Sequence, residues 1–471
     1  MSNNQNELVV STPKKENGVW ITDGAWISGL TGVVSLMVIA IMCQKHQWLD
    51  NGLTVLGFDF ETRLDVQLLC LIAVALSMCL AEVLRLTISG HKPFLSISPQ
   101  IKKGQIGEVF FKSLWRFSCY LALFYFIGLI YRVAPEYGFL DKSPYYQPWF
   151  EMYQWLFRAF TILGFPYVFF TEVFKYDEKK DVNSYHYLVE YVLIGLLTKI
   201  RLIQKPKYQP VTGTQLKKIT LGLLVRVFFA PLMTVFFIDQ FGHLVSNFGY
   251  LFDVLPQKIA QGHYSHANFN KDLMNVMKPI IFGIDVTLAW CGYVLTSRWL
   301  DNETQSTEPT LIGWIVCLLS YPPFALAGLY FIFPSESIIR TVDNQLFVSV
   351  FSILTIISFI IYTVATIVFG VRFSNLTHRG IIRTGPFAFV RHPAYASKNI
   401  GWWLGIFPVL VYLFLIGNMP ASYMVLATLA LAVQSYWYYW RAITEERHLM
   451  IDPAYQEYCE QVKYRFIPGV I

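Results

Sequence analysis

Long apolar runs separated by short polar segments form the dominant pattern of this 471-residue chain. A helix of about 20 apolar residues crosses a bilayer core of roughly 30 Å, so each run of that length predicts one transmembrane helix. The predicted spans are 25–43, 66–84, 114–131, 149–171, 219–238, 279–296, 311–333, 346–371, 395–417 and 421–440. The pattern therefore predicts an all-α, polytopic membrane helical bundle with about ten transmembrane helices.

The last two predicted spans are joined by Gly417-Asn418-Met419-Pro420, a composition typical of a tight turn. A short turn between two spans predicts an antiparallel helical hairpin, which returns the chain to the side of the membrane that it left. On this map we divide the chain into a disordered cytoplasmic tail (1–24), a transmembrane bundle of unknown role (25–345) with a long cytoplasmic loop (172–218), and a C-terminal domain (346–471).

Charge placement gives the predicted bundle an orientation. Charged residues make up 14% of the chain, against about a quarter in soluble domains. If the N-terminus is cytoplasmic, the segments on its side carry 25 lysines and arginines and those on the other side carry 8. This positive-inside bias predicts that both termini are cytoplasmic, and it accounts for the net charge of +6 without a nucleic-acid partner. The seven scattered cysteines predict neither a disulfide framework nor a metal site.

Several predicted spans carry ionisable residues, among them Arg116, Arg158, Arg226 and Asp285. Such groups are costly in lipid and therefore face protein or a wet cavity. Interhelical ion pairs, snorkelling and the lining of a substrate cavity all remain open. Within the long cytoplasmic loop, the apolar stretch 187–203 predicts an amphipathic helix at the membrane surface. Its basic residues, expected to face anionic headgroups, are Lys199, Arg201, Lys205 and Lys207.

A polar tract lies between the eighth and ninth predicted spans. It reads Thr384-Gly385-Pro386-Phe387-Ala388-Phe389-Val390-Arg391-His392-Pro393-Ala394-Tyr395. Glycine permits close backbone approach, and the proline that follows it favours a turn. Pro393 suits the first turn of the next helix, where a proline needs no N–H partner. Arg391 and His392 are therefore predicted at a helix N-terminus, whose unsatisfied N–H groups can point at a ligand.

A second polar cluster, Arg441 to Arg447, follows the predicted hairpin. The antiparallel hairpin brings this cluster back beside the first one, although about fifty residues separate them. Glu445 and Glu446 are about 100° apart on a helix, so at most one of them points squarely at a pocket. Arg441 lies four residues before Glu445 and shares its face. Such a site offers a carboxylate for hydroxyl or amino groups, and Arg and His for an anion.

Both clusters resemble the isoprenylcysteine carboxyl methyltransferase superfamily, which includes phospholipid methyltransferases. The resemblance covers about 100 residues, roughly 371–471. The first half of the motif matches the stretch from His378 to Phe387 and the tract Arg391-His392-Pro393-Ala394-Tyr395. The second half matches at Arg441, Glu445, Glu446, Leu449, Tyr455, Tyr458 and Pro468. On this resemblance, 346–471 is expected to be a methyltransferase-like catalytic domain.

The resemblance implies an integral membrane methyltransferase that uses S-adenosylmethionine. Its acceptor would be a lipid, or a lipid-linked carboxylate or amine, at the cytoplasmic face of what we expect to be a bacterial cytoplasmic membrane. The residues that it implies for cofactor binding are Gly385, Pro386, His392, Pro393, Tyr395, Glu445, Glu446 and Leu449. It implies catalytic roles for Arg391 and Arg441, the latter to orient an anionic acceptor, and no metal. The oligomeric state stays open.

The chain departs from the family pattern at three places. Phe387 replaces the usual Tyr, Ser397 stands where the family usually has Gly, and Ile451-Asp452 replaces the usual Phe-Gly. These changes predict a less close helix approach and altered adenosine packing. The end of the chain, 458–468, is also similar to membrane sterol and enone reductases, which use NADPH. An NADPH-dependent reductase is therefore one alternative, and a transporter or membrane scaffold with a degenerate cofactor domain is another.

Overall fold

The described part of the protein is a bundle of long helices with two very small sheets. The computed structural model describes residues 18–89, 105–138, 144–175, 181, 183–202, 211–322, 324 and 342–470. Its main helices are α1 Trp26–His46, α2 Arg63–Ile88, α3 Ile106–Val133, α4 Gln147–Phe174, α5 His186–Lys199, α6 Gly213–Gly249, α7 His266–Val294, α8 Leu311–Leu318, α9 Gln345–Ile367, α10 Pro393–Leu415, α11 Ala421–Leu449 and α12 Pro453–Gln461.

Short elements complete the described part of the chain. Helix α6 continues through a π turn, Tyr250–Val254, into Leu255–Ala260, and single helical turns occur at Trp48–Asn51 and Pro135–Gly138. The 3-10 turns are Ile21–Gly24, Pro144–Tyr146, Arg298–Leu300, Gly370–Arg372 and Gly385–Ala388. Strands β1 Leu53–Val55 and β2 Phe58–Phe60 form a hairpin, and β3 Ser306–Thr307 pairs antiparallel with β4 Thr377–His378.

Eight helices in the described part are long and apolar enough to cross a membrane, which confirms an all-α, multi-pass architecture. Each of the eight overlaps one predicted span, and three predicted spans, 279–296, 346–371 and 395–417, extend two to four residues beyond the end of the helix. Of the predicted span 311–333, only the start is described as a helix, α8, because most of the rest lies outside the described residues. The predicted span 421–440 lies in α11, a 29-residue helix that is not among the eight. The sequence thus predicts about ten spans, whereas eight helices in the described part are long and apolar enough to be spans.

Helices α7 and α9 join the helices of residues 25–345 to those of residues 346–471. Helix α7 packs against α6 on one side and α9 on the other, and α9 packs against α10. Between α7 and α6, the buried Trp290 donates from Nε1 to Thr234 Oγ1 at 2.8 Å. Gly292 lies so close to the carbonyl of Phe373 that a Cβ atom there would overlap it. The loop after α9 therefore rests directly on α7.

Residues 18–24 correct the predicted boundary of the disordered tail. Residues 1–17 lie outside the described part, whereas Ile21–Gly24 form a 3-10 turn and Trp20 is 1% exposed. Arg383 donates to both carboxylate oxygens of Asp23, at 2.9 and 2.8 Å, and stacks over the Trp20 ring. Arg383, which holds this segment, lies far away in the chain. The polar sequence of the N-terminal tail therefore did not reveal that the segment is ordered.

The ionisable residues in the spans have different surroundings. Arg116 forms a buried interhelical ion pair with Glu172 and also contacts Asp181, with 2.5 Å between Nη2 and Oδ2. Arg226 stacks over the ring of Tyr185, and Arg158 is exposed. Asp285 accepts hydrogen bonds from two residues of α9, Tyr362 and Thr366. The predicted helix over 187–203 is present as α5; Lys205 and Lys207 lie outside the described residues.

Candidate functional site

The polar tract before α10 forms a tight turn. Gly385 has φ +60°, a left-handed conformation that favours glycine, and a Cβ atom there would lie 2.9 Å from Val368 Cγ1. Gly385 and Pro386 begin a 3-10 turn, Gly385–Ala388, and neither lines the pockets described below. Their contribution is to shape the turn that carries Phe387, whose side chain does line two of these pockets.

The C-terminal segment occupies the N–H groups that precede α10. Arg391 N–H donates to the carbonyl of Tyr464 at 2.9 Å, and His392 N–H donates to the carbonyl of Arg465 at 2.9 Å. Pro393 is buried at the first position of α10, where it has no N–H to satisfy. The predicted anion site at this helix end is therefore closed to ligand at these two groups, and the side chains remain as candidates.

Glu446 connects three parts of the site. Its carboxylate lies 3.2 Å from His392 Nε2 and 3.2 Å from Arg391 Nε, and it accepts from Arg465 Nε at 2.9 Å. Burial alone would raise the pKa of Glu446, but the hydrogen bond from His392 and the neighbouring cations hold this pKa below its ordinary value. Glu446 lines none of the three pockets described below. It binds α11 to the start of α10 and to the C-terminal segment.

Glu445 is the carboxylate that faces open space. Its side chain is 42% exposed, against 6% for Glu446, and its Oε2 accepts from the Tyr395 hydroxyl at 2.8 Å. The ring of His392 stacks parallel to that of Tyr395, with 5.5 Å between their centroids. Tyr395, His392 and Glu445 thus form one wall, as the two sequence clusters predicted, and helix rotation separates the roles of the adjacent glutamates.

Three adjoining pockets meet at Ser374 and Glu445, which line all of them. The Arg379 pocket, about 570 Å³, is bounded by the loop 378–382 and by α12, including Tyr455 and Tyr458. The Lys398 pocket, about 690 Å³, lies among α9, α10 and α11 and is lined by Tyr362, Lys398 and Tyr438. The His448 pocket, about 450 Å³, lies between α8 and α11. Leu449 lines the Arg379 and His448 pockets.

Arg441 lines the Lys398 and His448 pockets, although it is only 6% exposed. Its guanidinium carbon lies 5.0 Å from the centre of the Tyr395 ring and 5.1 Å from that of Tyr438. Its Nη2 donates to Asn375 Oδ1 at 3.3 Å. In the described part of the chain no carboxylate lies within ion-pair distance of Arg441, so the face that it shares with Glu445 does not produce an ion pair.

Two of the departures from the family pattern have local structural roles. Ser397 is buried, and its Oγ donates to the carbonyl of Pro393 at 2.6 Å while its own carbonyl accepts from Ser358 of α9. Asp452 is fully buried and caps α12 by accepting from Ala454 N–H at 2.9 Å. Neither lines the three pockets, so both substitutions serve helix packing and capping there.

Sequence reasoning missed several residues of the site. His378, Arg379 and Asn375 line the pockets from the loop after α9. His448 lies one turn beyond Glu445, and its Nε2 is 2.8 Å from Ser306 Oγ. Burial, and then the charges of nearby cations, lower the pKa of His448 to about 3, so the ring is neutral at pH 7. The sequence contained one signal that could have pointed to the loop residues of the site, because polar residues are concentrated in 374–380, between two predicted spans.

No protein-family model, curated protein or solved structure matches the chain.

Proposed function

We propose that the protein is an integral membrane methyltransferase that uses S-adenosylmethionine and methylates a lipid or a lipid-linked acceptor. The observation that carries this proposal is the position of Glu445. Its carboxylate lies where three pockets meet, beside the Tyr395 hydroxyl and between the two sequence clusters that resemble a methyltransferase motif. A site for methyl transfer needs such a meeting point, because donor and acceptor must approach the same place from different directions.

The residues that surround Glu445 fit a cofactor of this kind. S-adenosylmethionine supplies an already activated methyl group on a positively charged sulfur. The Glu445 carboxylate, which the Tyr395 hydroxyl holds in place, offers the negative charge that attracts a cation. Phe387, Tyr455 and Leu449 give the Arg379 pocket apolar walls for an adenine ring. The chemistry of the donor set therefore supports the cofactor.

The Lys398 pocket supports an acceptor that arrives from the membrane. Its walls come from α9, α10 and α11, and α9 and α10 are among the helices apolar enough to span a bilayer. Arg441 and Lys398 supply two cationic side chains at this pocket, next to the aromatic rings of Tyr362 and Tyr438. Arg441 is the residue we assign to orient the acceptor, because tyrosine rings and Asn375 hold its guanidinium in place. Orientation of the two reactants supplies much of the catalysis when the donor is already activated.

The proposed side of the membrane is the cytoplasmic one, and its support is the distribution of lysines and arginines between the spans. The proposed roles of the sequence-predicted residues differ from one another. His392, Tyr395, Glu445 and Leu449 line pockets and are assigned to ligand. Gly385, Pro386, Pro393 and Glu446 support these residues from behind.

Calorimetric titration of the purified protein in detergent tests this proposal. We expect S-adenosylmethionine and S-adenosylhomocysteine to bind, and Glu445→Gln to weaken the former more, because only S-adenosylmethionine carries the sulfonium charge. Glu457→Gln is a matched control, since Glu457 lies on α12 and lines none of the three pockets. Binding of NADPH without either nucleoside ligand would favour the reductase, and no binding of any of the three would favour a scaffold or transporter.

A further inference from the structure

Arg379 carries buried N–H groups that have no hydrogen-bond partner in the part of the chain that the structure describes. The residue is 3% exposed, and it lines the Arg379 pocket. Its Nη1 donates to the carbonyl of Gly292 in α7. Its Nε and Nη2 are buried and have no hydrogen-bond partner among the described residues. Leaving a buried donor unsatisfied costs about 1–3 kcal/mol, and more for a charged group, so a partner from outside the protein is expected.

The other basic side chains of the Arg379 pocket already have acidic partners. Arg372 lies 3.4 Å from a carboxylate oxygen of Glu82, and Arg391 lies 3.2 Å from one of Glu446. His378 is hydrogen-bonded to Asp452. In the described part of the chain Arg379 has no carboxylate within 4 Å. The pocket therefore has one cationic group whose charge is left for a ligand.

Helix α7 holds Arg379 in this position. The carbonyl of Gly292 fixes one end of the guanidinium, and the lack of a side chain at Gly292 lets the loop approach α7. Burial, and then the charge of Arg226 on α6, lower the pKa of Arg379 to about 9, so the group still carries its charge at pH 7. A second cation near a buried guanidinium is unfavourable, and a bound anion would offset the repulsion between the two cations.

We infer that Arg379 binds the anionic end of the ligand in the Arg379 pocket through its unpartnered Nε and Nη2 groups. Two parallel N–H donors match the two oxygens of a carboxylate or of a phosphate. The identification of this anion as the carboxylate of the methionine portion rests on the proposed function. Arg379 and Glu445 carry opposite charges and line the same pocket. The proposed ligand likewise carries a positive and a negative charge.

Two ligands that differ in the methionine portion provide the test. S-adenosylhomocysteine carries the amino-acid group, and 5′-methylthioadenosine lacks it. Both are titrated calorimetrically into the full-length protein and into Arg379→Gln, Arg379→Lys and Arg383→Gln. Arg383 is the matched control, because it lies in the same loop, is bonded to Asp23 and lines none of the three pockets. The thermal midpoint of every variant is measured in parallel.

We expect Arg379→Gln to lower the affinity for S-adenosylhomocysteine by roughly tenfold to a hundredfold, because a charged hydrogen-bond pair is lost. The affinity for 5′-methylthioadenosine should stay unchanged. Arg379→Lys should restore part of the affinity, because it keeps the charge without the second donor. Arg383→Gln should leave the ratio of the two affinities unchanged. If Arg379→Gln does not fold, the wild-type protein still tests the proposal, because it should bind S-adenosylhomocysteine at least tenfold more tightly than 5′-methylthioadenosine.

If Arg379→Gln lowered the affinity for both ligands equally, or for neither, the role of Arg379 would be overturned while the proposed function stands. Oxidised NADP distinguishes the other source of an anion. If it binds and S-adenosylhomocysteine does not, the proposed function fails, and loss of NADP binding in Arg379→Gln would then assign Arg379 to a phosphate. If Arg379→Gln bound NADP normally, both inferences would fail.

Discussion

His378 donates from Nε2 to Asp452 Oδ2 over 2.7 Å, across 74 residues of the chain. Gly380 N–H donates to His378 Nδ1 at 3.1 Å, so Nδ1 is the acceptor and the ring proton lies on Nε2. The other oxygen of Asp452 accepts from Ala454 N–H at the start of α12. This one buried carboxylate therefore joins the loop of the Arg379 pocket to the C-terminal helix that forms its opposite wall.

Asp452→Asn should lower the free energy of unfolding by about 2 kcal/mol, because one amide oxygen cannot serve both His378 and the α12 cap. The amide nitrogen of the asparagine, which is itself a donor, would face either His378 Nε2 or the Ala454 N–H group. Thermal unfolding in detergent, followed by tryptophan fluorescence, measures the change. Glu460→Gln, on the exposed face of the same helix, is the control and should leave the midpoint in place. Equal midpoints for the two variants would contradict the bridging role of Asp452.

Glu446→Gln should destabilise the protein by about 3 kcal/mol, since it leaves Arg391 and Arg465 without their buried counter-charge. Glu445→Gln should change stability much less, because its carboxylate is partly exposed and a glutamine oxygen can still accept from Tyr395. The two adjacent variants control for each other in the same thermal unfolding assay. A larger loss of stability for Glu445→Gln would reverse our assignment of structural and ligand-facing glutamates.

Acid should destabilise the protein from about pH 6.5 downward through His448. Its pKa is lowered from 6.5 to about 3 in the folded state, so the unfolded chain binds a proton that the native ring does not. Stability then falls with decreasing pH by up to about 1.4 kcal/mol per pH unit for this group. The buried His186, whose pKa is also lowered to about 3, adds a loss of the same sign.

Unfolding midpoints measured between pH 7.5 and 5 should fall less steeply in His448→Gln than in the wild type. His243→Gln is the control, because His243 is exposed and should leave the slope unchanged. An identical slope in His448→Gln and in the wild type would show that this buried ring does not control the acid response.

The ion pair between Arg383 and Asp23 should couple the N-terminal segment to the C-terminal part. The two side chains are about one-fifth exposed, so we expect a coupling free energy of about 1 kcal/mol rather than the value of a fully buried pair. Thermal unfolding of Asp23→Asn, Arg383→Gln and the double variant gives this coupling. Strictly additive losses would mean that the contact contributes nothing beyond its individual side chains.

The sequence alone determined the spans and the local shape of the motif. A run of apolar residues long enough to cross a bilayer is a local property, and each of the eight helices apolar enough to span overlaps a predicted span. Gly385 and Pro393 act through their own backbone constraints, so the turn and the start of α10 followed from residue type. The approach of Tyr395 to Glu445 followed from the hairpin, because an antiparallel pair must bring its two ends together.

Tertiary structure alone decided which groups face the pockets. Glu445 and Glu446 differ by one residue, and only the rotation of α11 against its neighbours turns one toward a cavity and the other toward His392. Arg379 is oriented by a carbonyl on α7, far away in the chain. Order in the segment that contains Asp23 likewise depends on a distant arginine. These are long-range contacts, whose energies depend on the packed arrangement of helices and not on the sequence near each residue.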